Sequence, residues 1–265
     1  MRGFLKLATL VLALVEIVRF WGSARESPSH PQLLGQVSVI LLSGGVGSRF
    51  GAPVPKQYVQ LAGRPVAVHS FSRLVLNPYC KEIIVVCETE YEPLFRACYE
   101  TLFETGIAGA PPLRFARPGT SSRQESMANG LQRVEGTLVA VHDSARPLIR
   151  AVDFQRVCED AAEFGAAVLA VPVKSTIKQD DQDMFVDKTP DRRLLWEAQT
   201  PQVFRTALLR SSVARGWDEN ITDDASLVER ESKVRITPGD YGNIKITTPE
   251  DLAVAETLLR SQQQT

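Results

Sequence analysis

Short apolar segments of strand length alternate with segments of helical spacing along most of this chain. The runs Val37–Leu42, Glu82–Cys87 and Ala166–Val171 have the length and the β-branched content of buried strands. Ahead of the later strands, Val66–Leu76 and Val152–Phe164 carry apolar residues at helical intervals. Because parallel strands require crossover connections of this kind, the alternation predicts an α/β fold: a Rossmann-like, mostly parallel sheet with helices on both faces.

The remaining segments extend this pattern. Helices are predicted at Tyr91–Phe103, Arg123–Val134, Thr206–Arg215 and from Thr222 onward, and strands at Leu113–Arg117, Leu138–His142, Lys233–Thr237 and Asn243–Ile246. A threonine, a proline and two acids at residues 248–251 mark the start of a last helix. Gln262–Gln264 is expected to form a frayed tail beyond it.

The rhythm of strands and helices breaks between Val173 and Phe204. Two short β-prone runs, Thr176–Lys178 and Met184–Asp187, flank the turn-rich sequence QDDQD, a pattern typical of a β-hairpin. We therefore expect an arm over about residues 173–204 that projects from the sheet. Since a lone hairpin cannot bury its own apolar side chains, the arm predicts a homodimer in which it packs on the second copy.

The first 36 residues differ in character from the rest. Arg2 and Lys6 precede the apolar run Leu7–Val15, which is shorter than the about 20 residues that a membrane-spanning helix needs. A basic start, a short apolar core and small residues are typical of a leader, with an amphipathic N-terminal helix as the alternative. We therefore expect a leader and linker over residues 1–36, a folded domain over residues 37–265, and no stable membrane span.

The composition excludes several classes of protein. Thirty Lys and Arg residues face thirty-one Asp and Glu residues, for a net charge of -1, which argues against binding nucleic acid by bulk charge. The four cysteines form no CxxC pair, which disfavours a zinc site or a disulfide scaffold. We expect buried or half-buried free thiols at Cys80, Cys87, Cys98 and Cys158, in a reducing compartment.

A glycine-rich stretch, SGGVGSR at residues 43–49, directly follows the first predicted strand. Glycines let backbone N–H groups approach a phosphate closely. The stretch is not a Walker loop, because no Gly-Lys-Ser/Thr follows it. Gly45, Gly47 and Gly51 are spaced one residue wider than the dinucleotide-binding fingerprint, so the glycines alone are also compatible with a structural turn.

Two cations change the interpretation of this loop. Arg49 lies within it and Lys56 follows seven residues later. Isolated Lys and Arg residues are usually solvated surface charges, but a pair beside a glycine loop can bracket a triphosphate from two sides. The pyrophosphate of a nicotinamide cofactor does not require such a pair.

Six sequence blocks then occur in order. They are SGGVGSRF with PKQY, RQES at Arg123–Ser126, HDSARP at His142–Pro147, TPDR at Thr189–Arg192, ITDDAS at Ile221–Ser226 and NIKIT at Asn243–Thr247. Together they resemble the 2-C-methyl-D-erythritol 4-phosphate cytidylyltransferase family, from about Val37 to Leu259. The resemblance implies a nucleotide-diphospho-sugar transferase-like fold. It also implies transfer of CMP from CTP to the sugar-alcohol phosphate by in-line attack on the α-phosphorus, with release of pyrophosphate.

The resemblance further implies a role for individual residues. Arg49, Lys56 and Lys245 would be the catalytic cations on the CTP phosphates, and Ser126 would read the cytosine ring. The full CTP-binding set is Ser43, Gly44, Gly45, Gly47, Gly119, Thr120, Ser121, Ser126, Asp143 and Ser144. Residues 120–122 lack the acid that is common in the base-reading loop of this family.

For the acceptor phosphate, the resemblance implies Asp143, Arg146, Thr176, Arg192, Thr222 and Lys245, with Thr176 and Arg192 reaching in from the partner's arm. Mg²⁺ is expected, because a triphosphate is usually presented as its metal complex, and Asp143 is the candidate ligand. For Arg146 a salt bridge that shapes its loop is the alternative, and His142 is expected to be structural.

Two other functions stay open at this point. A cytidylyltransferase for ribitol or another polyol 5-phosphate would share nearly all the CTP blocks. An NAD(P)-binding oxidoreductase would need an acidic residue about 20 residues after the glycines, whereas Glu88 and Glu90 lie about 40 residues on, which disfavours it. The family resemblance, together with the N-terminal leader, implies the plastid stroma as the destination, with the cytoplasm as the alternative.

Overall fold

The computed structural model describes residues 30–45, 50, 54–103, 109–217 and 221–264. Residues 1–29 of the predicted leader and linker, and two predicted site residues, Gly47 and Arg49, lie outside these ranges. Residues 30–36 are described, and Leu33 is buried in a core cluster, so the folded part begins before the predicted Val37. The strands are β1 (Val37–Leu42), β2 (Gln60–Leu61), β3 (Arg64–Pro65), β4 (Cys80–Val86), β5 (Leu113–Ala116), β6 (Leu138–Asp143), β7 (Ala166–Pro172), β8 (Gln179–Asp180), β9 (Val186–Lys188), β10 (Trp196–Arg205) and β11 (Arg235–Pro238). The α-helices are α1 (Val66–Val75), α2 (Glu92–Phe103), α3 (Arg123–Leu131), α4 (Ala151–Phe164), α5 (Thr206–Ala214), α6 (Asp224–Val228) and α7 (Pro249–Gln264).

Seven strands form one central sheet in the order β11-β7-β10-β6-β1-β4-β5. All neighbouring pairs are parallel except those of β10, which runs antiparallel to both β6 and β7. In the middle of the sheet, Ile40 of β1 lies between Ile84 of β4 and Val141 of β6. The prediction of a mostly parallel α/β sheet is therefore confirmed.

Both faces of the sheet are covered, as a parallel sheet of apolar strands requires. Val39 and Leu41 of β1 belong to one core cluster, which includes Phe71 of α1 and side chains of α2 and α4. Ile40, on the opposite face of the same strand, belongs to a second cluster with Met127 of α3 and side chains of α5. The period-two alternation of strand side chains thus divides the core into two layers.

The arm covers residues 173–195, between β7 and β10, and is therefore shorter than the predicted range 173–204. Its hairpin consists of β8 and β9, which lie slightly later in the chain than the predicted β-prone runs. Residues 196–205 form β10 inside the central sheet. Polar residues such as Gln199 and Gln202 give β10 the sequence pattern of a loop. In the structure both side chains are buried and form hydrogen bonds.

Two further expectations at the C-terminal end are wrong. The segment Asn243–Ile246 is not a strand: Asn243 N–H donates to the Asp240 carbonyl in a local turn, and Ile246 N–H donates to the Ala145 carbonyl in the loop after β6. Gln262–Gln264 is not a tail but the last turn of α7. Helix α3 also ends at Leu131, three residues before the predicted end.

All four cysteines are free and buried, as predicted. Burial raises the pKa of the Cys80 and Cys98 thiols, so both stay protonated and behave as small apolar side chains. In the part of the chain that the structure describes, no helix has the length and apolar character needed to cross a membrane.

Candidate active site

The candidate site lies where β1 and β6 end and where the loop after β5 turns into α3. In open α/β sheets, ligands bind at the carboxyl ends of the parallel strands. A cavity of about 380 Å³ opens there. Its lining includes most of the predicted site residues: Gly44, Gly45, Lys56, Gly119, Thr120, Ser121, Ser126, Asp143, Ser144 and Lys245. Ser43 lies directly beneath them, with its hydroxyl donating to the Ser144 hydroxyl at 2.9 Å.

The carboxylate of Asp143, the last residue of β6, is shared between two cations. Its Oδ1 accepts from the Nε and Nη2 groups of Arg123 at 3.1 Å, and its Oδ2 lies 2.6 Å from Lys245 Nζ. Burial disfavours the ionised carboxylate, but Arg123 and then Lys245 outweigh that effect and hold the pKa of Asp143 well below its usual range. Asp143 is therefore a permanent anion that fixes the Lys245 ammonium at the cavity wall.

Arg123 is a site residue that the sequence interpretation missed. It is the first residue of α3, and its Nη1 donates to Asp224 Oδ1 at 2.9 Å. Burial disfavours the charged guanidinium, but Asp224 and Asp143 outweigh that effect and raise the pKa of Arg123 above its ordinary value. A cation at a helix N-terminus is disfavoured by the helix dipole. An arginine at the start of a predicted helix is thus the signal that could have pointed to acidic partners elsewhere in the fold.

Asp224 is fully buried at the start of α6. Burial raises the pKa of its carboxyl and Arg123 opposes that shift only in part. Its second oxygen, Oδ2, has no hydrogen-bond partner among the described residues. Asp224 therefore depends on Arg123, which connects the start of α3 to both β6 and α6.

The loop predicted to read the base is closed on itself by α3. Ser126 Oγ accepts from the Gly119 backbone N–H at 2.9 Å. Glu125 accepts from the Ser121 N–H at 3.1 Å and from the Ser121 hydroxyl at 2.6 Å. A Cβ on Gly119 would overlap the Glu125 side chain, so glycine is required there.

The loop that carries Lys245 is attached to the loop after β6. Ile246 N–H donates to the Ala145 carbonyl at 2.8 Å, and Arg146 Nη1 donates to the Asn243 carbonyl at 2.7 Å. Arg146 is not among the residues that line the cavity, and its guanidinium donates hydrogen bonds to backbone carbonyls. Its geometry therefore fits the loop-shaping alternative better than direct contact with an acceptor, although through carbonyls rather than a salt bridge.

His142 is a structural residue, as its position at the strand end predicted. Its Nε2 lies 3.1 Å from the Arg146 carbonyl, which can only accept, so Nε2 carries the proton. Its Nδ1 then accepts from the Thr200 hydroxyl at 3.2 Å, and that hydroxyl accepts from the Asp143 N–H. Burial lowers the pKa of His142 to about 4, so the imidazole is neutral near pH 7.

Three predicted acceptor-binding residues lie away from the cavity of this single chain. Thr176 and Arg192 are exposed on the arm, where Arg192 Nη1 donates to the Lys174 carbonyl at 3.0 Å. Thr222 is exposed just before Asp223, whose side chain caps α6.

One carboxylate lines the cavity among the residues described, that of Asp143. Within those residues no cluster of three or more His, Cys, Asp or Glu side chains could hold a metal by itself. Mg²⁺ is often bound through one or two carboxylates together with substrate phosphates. The donor set therefore fits a magnesium ion that arrives with a polyphosphate, held on the protein side by Asp143.

Comparison with known proteins assigns the chain to a family. A family model described as 2-C-methyl-D-erythritol 4-phosphate cytidylyltransferase, IspD, matches residues 37–261. The chain belongs to this family. The matched range agrees with the resemblance predicted from about Val37 to Leu259.

Individual members support the assignment to the IspD family. The chain is 47% identical over 256 residues to the chloroplastic 2-C-methyl-D-erythritol 4-phosphate cytidylyltransferase of rice, covering 92% of this chain and 83% of the rice protein. It is 41% identical to the cytidylyltransferase of Syntrophotalea carbinolica, covering 84% of this chain and 96% of that protein. Among solved structures, 4-diphosphocytidyl-2C-methyl-D-erythritol synthase from Anaerococcus prevotii superposes with a TM-score of 0.73 at 28% identity, covering 85% of this chain and 99% of that one.

Proposed function

We propose that this IspD-family protein transfers CMP from CTP to 2-C-methyl-D-erythritol 4-phosphate, giving 4-diphosphocytidyl-2-C-methyl-D-erythritol and pyrophosphate. The observation that carries the proposal is the meeting of Lys56, Lys245 and the Asp143 carboxylate in one cavity at the strand ends. Placed cations beside a glycine-rich loop are what a reaction between two polyanions requires. The names of the rice and bacterial relatives support the choice of substrates.

In this proposal, the cytosine ring binds at the loop closed by Ser126, and the triphosphate extends toward Gly44 and Gly45. The two loops are in close contact: a Cβ on Gly44 would lie 2.5 Å from the Pro118 side chain. Because glycine leaves room there, the two loops can form one continuous wall for the nucleotide.

The chemistry is a displacement at phosphorus. An oxygen of the acceptor phosphate forms a bond to the α-phosphorus of CTP, the bond from that phosphorus to the bridging oxygen breaks, and the electron pair leaves with pyrophosphate. Lys56 and Lys245, with Arg49, bind the phosphates and stabilise the charge that builds up on the transferring group. Asp143 holds the Lys245 ammonium in place through their 2.6 Å ion pair. No protein nucleophile or general base is needed, since a phosphate attacks as its anion.

We propose that Mg²⁺ accompanies CTP and that Asp143 holds it on the protein side. When bound, the ion would neutralise part of the triphosphate charge. Asp143 Oδ2 contacts Lys245 Nζ alone among the contacts described, so this oxygen retains a lone pair that could bind the metal.

We further propose a homodimer in which the arm of one copy completes the acceptor site of the other. Apolar side chains of the arm are strongly exposed in the single chain: Met184 at 89%, Leu194 at 78% and Phe185 at 72%. Exposed apolar patches of this kind are typical of protein interfaces. Thr176 and Arg192 lie on the same arm and would bind the acceptor phosphate beside the partner's Thr222, where a guanidinium can make a bidentate contact.

The activity is tested by pyrophosphate release from the purified protein. We expect release only when CTP, Mg²⁺ and 2-C-methyl-D-erythritol 4-phosphate are all present. Equal or faster turnover with ribitol 5-phosphate would overturn the assigned acceptor and favour the sister cytidylyltransferase.

The shared site is tested by mixing two inactive variants, Arg192→Ala and Lys56→Ala. If the arm serves the neighbouring copy, some mixed dimers contain one intact site and activity returns. No recovery in a mixture shown to exchange subunits would contradict the proposed arrangement.

We propose that the protein acts in the plastid stroma after removal of residues 1–36. The basic residues and the short apolar run of that segment support a leader, and the rice relative is named chloroplastic. A fluorescent protein carrying residues 1–36 should enter plastids, whereas cytoplasmic fluorescence would favour the alternative.

A further inference from the structure

Two neighbouring side chains hold the backbone that opens the glycine-rich loop. Gln57 Nε2 donates to the carbonyl oxygen of Ser43 at 2.9 Å and to that of Gly45 at 2.7 Å. Tyr58 Oη donates to the same Ser43 oxygen at 2.8 Å. Both donors belong to the 3-10 turn Lys56–Tyr58, so the turn that presents a cation to the cavity also binds the loop.

These donors are themselves held rigidly. Gln57 is 3% exposed and Tyr58 is 7% exposed. The Tyr58 ring stacks on Tyr91 with 3.6 Å between ring centroids. Burial also raises the pKa of the Tyr58 hydroxyl, so it stays protonated and keeps donating. A buried donor pair of this kind has little freedom to follow a displaced loop.

The geometry of the peptide unit turns these bonds into control over the loop. In a planar trans peptide, the C=O of one residue and the N–H of the next point in opposite directions. Fixing the Ser43 carbonyl on Gln57 and Tyr58 therefore fixes the direction of the Gly44 N–H. Without those donors, glycine peptides can rotate cheaply.

Electrostatics gives the same bonds a second effect. A carbonyl oxygen carries partial negative charge and repels a phosphate oxygen, most strongly where water is excluded. The oxygens of Ser43 and Gly45 have lone pairs engaged by N–H or O–H groups, which screens them from an anion in the cavity. Ser43 O accepts from two donors, so both of its lone pairs are engaged.

We propose that Gln57 and Tyr58 are positioning residues for the CTP triphosphate, fixing the Ser43 and Gly45 carbonyl groups at the start of the glycine-rich loop and screening these two oxygens from the phosphates. The inference rests on the proposed function, because it takes CTP as the ligand. It assigns to these two residues a role in affinity for the phosphates rather than in reading the base.

The experiment compares Gln57→Leu and Tyr58→Phe with the unmodified full chain, measuring CTP and CMP affinity by titration calorimetry and the KM values of both substrates. We expect Gln57→Leu to raise the Kd for CTP by about tenfold, because two carbonyls lose a donor. Tyr58→Phe should raise it by about threefold, since Ser43 O keeps Gln57. CMP affinity should change much less, and the acceptor KM should be unaffected.

Matched controls remove the same chemical groups at remote carbonyls. Gln36→Leu removes a bond to Leu34 and Tyr99→Phe removes one to Pro111. Neither should change CTP affinity, and melting temperatures report whether each variant is folded.

Three results would overturn the inference. The Gln57→Leu and Tyr58→Phe variants could each fold and bind CTP with unchanged affinity, they could lose affinity for CTP and CMP equally, or they could show a lower kcat with unchanged KM values. The last result is what a smaller fraction of folded enzyme would give. Failure of the unmodified protein to bind CTP would instead overturn the proposed function itself.

Discussion

Charge sharing between individual side chains organises the candidate site. Asp143 lies between Arg123 and Lys245, and Arg123 lies between Asp143 and Asp224. Asp224 is fully buried and Asp143 nearly so, and each has a cationic partner, which is the condition under which buried ions are tolerated. The charges therefore have two roles: Lys245 lines the cavity, and the Arg123–Asp224 ion pair connects the start of α3 to the start of α6.

Replacing Lys245 with alanine should reduce kcat by about 100-fold, the effect of losing one preorganised charge partner in a phosphoryl-transfer site. Steady-state kinetics with saturating CTP measure the change. Lys233→Ala, at an exposed lysine outside the cavity, is the matched control and should be silent. Near-normal kcat in Lys245→Ala would remove this residue from the mechanism.

Replacing Arg123 with methionine should reduce the free energy of unfolding by about 3 kcal/mol, because Asp224 is left as an uncompensated buried charge. Adding Asp224→Asn should restore part of the loss, since the charge is then removed. Denaturant unfolding of both single variants and the double variant measures the coupling. Additive losses would show that the two side chains do not depend on each other.

Short loops between regular segments determine the shape of the cavity. The loop after β5 is closed onto the first turn of α3 through Gly119, Ser126 and Glu125, and Ser122 caps that helix by accepting from the Glu125 N–H at 3.1 Å. Glu125 therefore takes part in both capping and loop closure, through its N–H to Ser122 and its carboxylate to Ser121. A change that fits the helix but not the loop should disturb binding before it disturbs folding.

Gly119→Ala should raise the KM for CTP by about tenfold or more while leaving the fold intact. The added Cβ would overlap the Glu125 side chain and come within 2.9 Å of the Ser126 backbone nitrogen, so the loop must move away from the base. Ala128→Ser, on α3, is the control and tests whether CTP binding is sensitive to any small change in this helix. Gly216→Ala would not serve as a control, because the positive φ of Gly216 makes alanine strained there. An unchanged KM would place the base elsewhere.

The fold as a unit responds to acid through buried histidine. His69 of α1 donates from Nε2 to the Leu61 carbonyl at 2.8 Å and is 2% exposed. Burial, and then the nearby Arg64, lowers its pKa from 6.5 to about 3. Between these values the unfolded chain binds a proton that the folded chain does not, so the free energy of unfolding falls as the pH falls.

At about pH 5 this one group should lower the free energy of unfolding by on the order of 2 kcal/mol relative to neutral pH. Urea unfolding at a series of pH values measures the slope. His69→Gln keeps a donor for Leu61 but does not titrate, so its slope should be smaller than that of the parent. Equal slopes would show that His69 is already protonated in the folded state.

Strong local signals made much of the architecture predictable. Runs such as Val37–Leu42 are apolar on both faces, which marks a central parallel strand without knowledge of its neighbours. By contrast, β10 contains Gln199 and Gln202, whose burial depends on partners far along the chain. No local pattern separates such a strand from a polar loop, and the arm was therefore predicted too long.

By itself, the sequence determined the alternating α/β architecture, the glycine-rich loop at the end of the first strand and the six blocks that indicate the cytidylyltransferase family. These features depend on residues close together in the chain. Only the tertiary structure decided that Arg123 links Asp143 to Asp224, that Arg146 binds carbonyls, and that Gln57 and Tyr58 hold the loop. The physical reason is that a side chain's charge and hydrogen-bond partners are set by groups distant in sequence, which meet only when the sheet is assembled.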